Sequence, residues 1–160
     1  MNDAEPFVLT PIDRLRFMVI DDDRAMLELI DAMLRMVGVG SVMKAANCLT
    51  ALNVLADQRK KVDCIICDHS MPNMTGLQLL QEIRAARYAH VPRDIAFIMI
   101  TAHGQEAVVK AAINLDVSGY IVKPLRKDAL IKAIHRAFAK PIALKPPEDY
   151  SGVALPPDDA

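Results

Sequence analysis

The sequence lacks an excess of charge of either sign: 19 Lys and Arg stand against 20 Asp and Glu in 160 residues. That balance leaves no electrostatic footprint for DNA, RNA or an anionic membrane surface. Long hydrophobic runs are missing as well. No apolar stretch approaches the roughly 18 residues that a membrane-spanning helix needs. The opening residues, MNDAEPFVLTPIDRLR, put acids first and show no basic-then-apolar order, so they do not read as a signal peptide. Cysteine is scarce and odd in number, at three, which speaks for the reducing cytoplasm. Cys64 and Cys67 form a C-x-x-C. On a strand, an offset of three sends the two thiols to opposite faces, so they read as buried apolar filler and not as a metal or redox pair.

What is present is enough apolar material, 52% of residues, to build a core for one ordinary domain with some spare length. Short continuous apolar runs occur at Phe17–Ile20, Val62–Cys67, Ile95–Ile100 and Tyr120–Val122, with a weaker one at Val42–Ala45. Continuous runs, unlike alternating ones, mark parallel strands covered on both faces. Helical stripes lie between and after them: Leu27, Ile30, Leu34 and Val37, closed by Gly38; Leu52, Leu55 and Ala56; Leu77, Leu80 and Ile83; Val108, Val109, Ala112 and Ile113; and Leu130, Ala133, Ile134, Ala137 and Phe138. The order is βα repeated five times. It predicts an α/β fold, an open parallel sheet with helices on both faces. The weakest strand belongs at an edge, which favours strand order 2-1-3-4-5 and a switch point between strands 1 and 3. The domain is expected over residues 15–140, after a short extension at 1–14. The segment 141–160 holds five of the ten prolines and no helical stripe, so it is expected to be an unstructured tail.

Ligands of such sheets bind outside the carboxyl ends of the strands. Strand 1 ends in Asp21-Asp22, strand 3 in Asp68, strand 4 in Thr101 and strand 5 in Lys123-Pro124. Singly, each residue has a plain structural reading; Asp23, the next acid, reads as the N-cap of the first helix. Together they place three carboxylates, a hydroxyl and an ammonium on one edge. Three carboxylates in one pocket repel unless a cation sits among them, and a hard divalent ion with carboxylates and waters is what Mg²⁺ prefers. Lys123 adds a point charge suited to a second anion, such as a phosphoryl group.

The stretches VIDDD, CDHSMPNMTG, MITAHG and SGYIVKPL, in order and at matching spacing over about residues 16–140, resemble the strand-end motifs of the response-regulator receiver family of two-component signalling. The likeness is to stand-alone receivers of the chemotaxis-regulator kind. It implies the flavodoxin-like fold with the strand order above. It implies that Asp68 is the phosphoacceptor, and that Mg²⁺ is held by Asp21, Asp22, Asp68 and the Ser70 carbonyl. Thr101 would bond the phosphoryl oxygen and, with Tyr120, form the switch; Lys123 would pair with Asp68 and then with the phosphoryl group. The Lys123–Pro124 bond looks like the family's cis peptide. Ser70 and His103, two residues after the acceptor and after the switch threonine, would flank the path of hydrolytic water and tune phosphoryl lifetime. His69, His90 and His135 read as surface residues. Thr75 stands where the family often has Asp, and a Thr still caps a helix.

The function so implied is a regulator and not an enzyme acting on other molecules. A histidine kinase or a histidine phosphotransfer protein would phosphorylate Asp68, and the helix 4–strand 5–helix 5 face would change its binding to a downstream protein. The alternatives are a phosphorelay shuttle and a scaffold that binds partners without phosphorylation. A phosphatase of the haloacid dehalogenase type would need a second acid where Ser70 stands. A flavodoxin-type nucleotide binder would need a Ser/Thr/Gly-rich loop in place of Asp21-Asp22-Asp23.

Overall fold

A computed structural model describes residues 11–102 and 105–157. The five strands are β1 (Arg16–Ile20), β2 (Ser41–Ala45), β3 (Cys64–Asp68), β4 (Ala96–Thr101) and β5 (Gly119–Val122). All their pairings are parallel and the sheet order is β2-β1-β3-β4-β5, as the apolar runs predict. The weak strand β2, in which only Ala45 is buried, does lie at an edge. The central strand β3 is buried along its whole length.

Helices α1 (Arg24–Val37), α2 (Cys48–Leu55), α3 (Gly76–Arg84), α4 (Glu106–Asn114) and α5 (Lys127–Ala137) alternate with the strands. Their ends follow local chemistry. Asp23 caps α1, its carboxylate accepting from the Ala25 N–H, and Gly38 closes it at φ 92°, a conformation that costs a glycine little. Thr75 and Gln78 form a reciprocal capping box at the start of α3. The alternation of side chains along each strand divides the core in two. Cys67 joins one layer with α2, α3 and α4, while Cys64 joins the other with α1 and α5; the two thiols do face opposite ways.

Two helical stripes differ from expectation. Helix α2 buries Cys48, Ala51 and Leu55, leaving Leu52 half-buried and Ala56 exposed. Helix α4 buries Val108, Ala111 and Ala112, while Ile113 is 56% exposed. Short helices on a twisted sheet bury only the side that meets the strands, and Leu, Ile and Ala recur too often in these sequences for periodicity to pick that side.

The larger correction is at the C-terminus. The described part of the expected unstructured tail, residues 141–157, is structured: a sixth helix, α6 (Pro147–Ser151), packs on α3, and Tyr150 is fully buried in the core layer of α2, α3 and α4. Pro147 occupies the first helical turn, where its missing N–H costs nothing. The aromatic ring supplies the burial that a proline-rich composition conceals. Residues 158–160 of that tail, and 1–10 of the expected N-terminal extension, lie outside the described residues. Within the extension, Ile12–Arg14 makes a 3-10 turn and Ile12 packs against the layer of α1 and α5.

Arg84, at the end of α3, is fully buried, and among the described residues no carboxylate forms a salt bridge with it. Its guanidinium donates instead to the carbonyls of Arg93, Ile95, Leu115 and Asp116. It thereby ties the loop before β4 to the corner between α4 and β5. Burial lowers its pKa to about 10, still charged at neutral pH.

Candidate functional site

The switch point lies between β1 and β3, where the helices that follow the two strands leave on opposite sides of the sheet. The register pairs Ile20 with Cys67 and Asp68 with Ile100. Asp21, one residue past β1, therefore ends up beside Asp68 at the tip of β3. The ligand oxygens of Asp21, Asp22 and Asp68 all lie within 4.8 Å of one another. Asp21 and Asp68 are buried, at 1% and 4% exposure, and Asp22 is open to solvent. Asp23, capping α1, is not part of the cluster.

The close approach of α3 helps to shape this end of the sheet. A Cβ on Gly76 would lie 2.8 Å from the Asp68 carbonyl oxygen, so only glycine lets the first turn of α3 pass the tip of β3. The Gly76 N–H donates to the His69 carbonyl, closing the loop between them.

The cation of the site is Lys123, whose Nζ lies 3.2 Å from Asp68 Oδ1. The Lys123–Pro124 bond is cis. Lys123 itself is half-buried, and its N–H donates to the Thr101 carbonyl, joining the ends of β4 and β5. The Thr101 hydroxyl is buried at the same edge and has no hydrogen-bond partner among the described residues.

Burial is the main electrostatic force here. It raises Asp21 from 3.8 to about 6, with the Asp68 charge adding to the rise and the Asp23 N–H, 2.8 Å from Asp21 Oδ1, opposing it. Burial also raises the Asp68 pKa, against the pull of Lys123. The second oxygen of Asp21 is buried with no hydrogen-bond partner among the described residues. A desolvated carboxylate oxygen without a donor, beside two further carboxylates, suits a hard divalent cation that brings its own charge and waters. The residues present therefore fit Mg²⁺.

Other residues named from sequence fall as follows. Ser70 is exposed in the loop after β3. Tyr120, on β5, is 43% exposed. A groove of about 420 Å³ runs from Thr101 past Gln105, Val109 and Ile113 to Tyr120 and Val122, along the seam of α4 and β5. His103 lies outside the described residues. His90 and His135 are exposed as expected, but His69 is buried at 2% exposure. The residue after a strand-end acid reads as loop, but here the start of α3 returns against its backbone, the Gly76 N–H donating to its carbonyl. A hollow of about 450 Å³ at the opposite edge of the sheet gathers Arg16, Lys60, Lys61 and His90. Its carboxylate, Asp63, is already held by the Arg16 side chain and N–H, so no acid there is left to react.

The family model described as the response regulator receiver domain matches residues 17–135. The chain belongs to that family. A curated relative, the chemotaxis protein CheY of Pseudomonas aeruginosa, is 31% identical over 127 residues, covering 79% of this chain and 98% of its own. Chemotaxis protein CheY-3 of Vibrio cholerae is also 31% identical, with 79% and 93% covered. Among solved structures, a response regulator receiver domain protein from Clostridium thermocellum superposes with a TM-score of 0.69 at 26% identity, covering 78% of this chain and 94% of that one. The receiver domain of the sensor histidine kinase PA1611 from Pseudomonas aeruginosa, solved with magnesium coordinated in its active-site cleft, has a TM-score of 0.65 at 23% identity. It covers 79% of this chain and 99% of its own, and shows likeness of fold. This protein is thus a receiver of the CheY-like class, in a family of signalling proteins that take up a phosphoryl group and bind Mg²⁺ at an acidic pocket. Among the described residues, no helix is long and apolar enough to cross a membrane.

Proposed function

We propose that this receiver accepts a phosphoryl group on Asp68 from the phosphohistidine of a histidine kinase or a histidine phosphotransfer protein, and changes its binding to a downstream protein in response. The observation that carries the assignment is the pairing of Asp68. Of the three clustered acids it is the one held by a cation, with Lys123 Nζ at 3.2 Å. An Asp68 carboxylate oxygen attacks phosphorus, a P–O bond forms, and the P–N bond to the donor imidazole breaks with its electron pair returning to nitrogen. Lys123 lies where it meets the negative charge of the incoming group. Phosphoryl transfer of this kind is mainly positioning and charge stabilisation, with little covalent work left to the protein.

Asp21, Asp22 and Asp68, with the Ser70 carbonyl, are the groups that would hold Mg²⁺. When bound, the ion supplies neutralising charge to the phosphoryl oxygens. The buried Thr101 hydroxyl, without a partner among the described residues, is a donor in reserve for a phosphoryl oxygen. Its movement toward Asp68 would open room at the inner end of the α4–β5 groove, into which the half-exposed Tyr120 can turn. The output face is then the one made by α4, β5 and α5. Ser70 and His103 are positioned in sequence to set how long the phosphoryl group survives.

The test is phosphate incorporation from acetyl phosphate with Mg²⁺. Wild type is expected to gain an acyl phosphate that survives acid and is lost in base. Asp68→Asn is expected to gain none while keeping its fold by circular dichroism. Equal labelling of the variant would refute the acceptor assignment. Incubating labelled protein with phosphotransfer proteins then separates an endpoint from a shuttle, since a shuttle returns the label.

A further inference from the structure

The C-terminal segment 143–155 lies beyond the family match, which ends at residue 135, yet it is tied to the domain by a dense set of contacts. Tyr150 is fully buried. Its hydroxyl donates to Asp116 Oδ2 at 2.7 Å and accepts from the Lys145 N–H at 3.0 Å. Gln81 on α3 donates to the carbonyls of both Tyr150 and Val153, each at 2.9 Å. The Lys145 ammonium reaches the Asn114 carbonyl at 3.4 Å and lies 5.3 Å from the Tyr150 ring centre. Val153 and Leu155 pack against the same core layer.

Gln81 ties the segment to α3, while the Tyr150 hydroxyl and the Lys145 ammonium reach the corner between α4 and β5. Asn114 is the last residue of α4. Asp116 has φ 54°, a left-handed conformation that a residue with a side chain adopts at a cost. The strap holds the Asp116 carboxylate, and Arg84 holds its carbonyl. At its other end α4 starts beside the site, where Gln105 accepts from the Ala102 N–H. Helix α4 is therefore pinned at its far end by a segment that leaves Ile113 of α4 and Tyr120 of the neighbouring β5 exposed.

We propose that segment 143–155 is a built-in clamp on the switch: docked through Tyr150, it holds the α4–β5 corner in the unphosphorylated arrangement and raises the threshold for activation. The inference rests on the proposed phosphorylation switch. A ligand shifts a two-state domain only by its differential affinity for the two states, so a contact made preferentially in one of them subtracts from the effect of phosphorylation. Removing the Tyr150–Asp116 hydrogen bond lowers that opposition by the equilibrium factor of one net hydrogen bond, about three- to tenfold.

The test is a beryllofluoride titration with Mg²⁺, read from the amide NMR signals of α4 and β5. Tyr150→Phe keeps the ring in the core and removes only the hydroxyl. Gln81→Ala loosens the strap from α3 and leaves the corner untouched. Both variants are expected to fold and to bind beryllofluoride about three- to tenfold more tightly than wild type. Amide exchange at residues 115–118 is expected to quicken when wild type is saturated. Unchanged or weaker beryllofluoride affinity in both variants would overturn the clamp. Absence of any α4–β5 shift in wild type would instead refute the switch on which it rests, so the two failures are distinguishable.

Discussion

Asp21→Asn should make the metal-free protein more stable at pH 8 and scarcely alter it near pH 4. Asp21 is 1% exposed and its carboxyl is raised from 3.8 to about 6, chiefly by burial and then by the Asp68 charge. A raised acid binds its proton more tightly in the folded state. Its contribution to stability is therefore fully present below about 3.8, the unfolded value, and is lost as the pH climbs through about 6. A gap of about two pH units corresponds to a loss of about 3 kcal/mol above that window. Asparagine cannot ionise and escapes the loss. It keeps an oxygen for the Asp23 N–H, which Asp21 Oδ1 now accepts at 2.8 Å; the help that this bond gives the charged form is already contained in the raised value of about 6, so nothing further is subtracted. The expected gain is about 3 kcal/mol at pH 8. Urea unfolding in EDTA at pH 8, 6 and 4 measures it. A gain that is absent at pH 8, or of the same size at pH 4, would refute the reasoning. Added Mg²⁺ should reverse the order, because a ligand that binds only the folded site stabilises the chain that still has all three carboxylates. The instability of the empty cluster is the cost of a site prepared for a cation.

The two neighbouring acids should separate cleanly. Asp22→Ala is expected to weaken Mg²⁺ binding by calorimetry, whereas Asp23→Ala leaves it intact and loses about 1 kcal/mol of stability with the α1 cap. The reverse ranking for Mg²⁺ would move the metal contact one residue along the acidic run. Truncation after Leu144 removes the buried Tyr150 and the partners of Gln81. It should lower the unfolding free energy by about 3 kcal/mol, near the low end for deleting a buried aromatic because the strap is peripheral. An unshifted urea midpoint would show that the strap does not dock in solution.

Much of this protein is determined by its sequence alone. Parallel strands buried on both faces must be continuously apolar, so β1, β3 and β4 announce themselves, and polar Lys44 marks β2 as an edge. Caps obey local chemistry, which is why Asp23, Gly38 and Thr75 are readable without any tertiary information. The acids, Thr101 and Lys123 are also legible, because in a βα sheet residues that directly follow strands share one edge whatever the helices do. What required the tertiary structure were the features that depend on a distant neighbour. His69 is buried where the start of α3 returns against β3, and Ile113 is exposed because only one side of α4 meets the sheet. Which of three acids is paired depends on the reach of Lys123 from β5. The C-terminal strap is the plainest case. Pro141, Pro146 and Pro147 carry the composition of a tail, and the short α6 would have no reason to persist in isolation. Only the space between α3 and the α4–β5 corner, with Gln81 and Asp116 at its walls, gives Tyr150 somewhere to be buried. Local pattern records the periodicity of a segment, whereas burial of a single aromatic ring is decided by the surface that it meets.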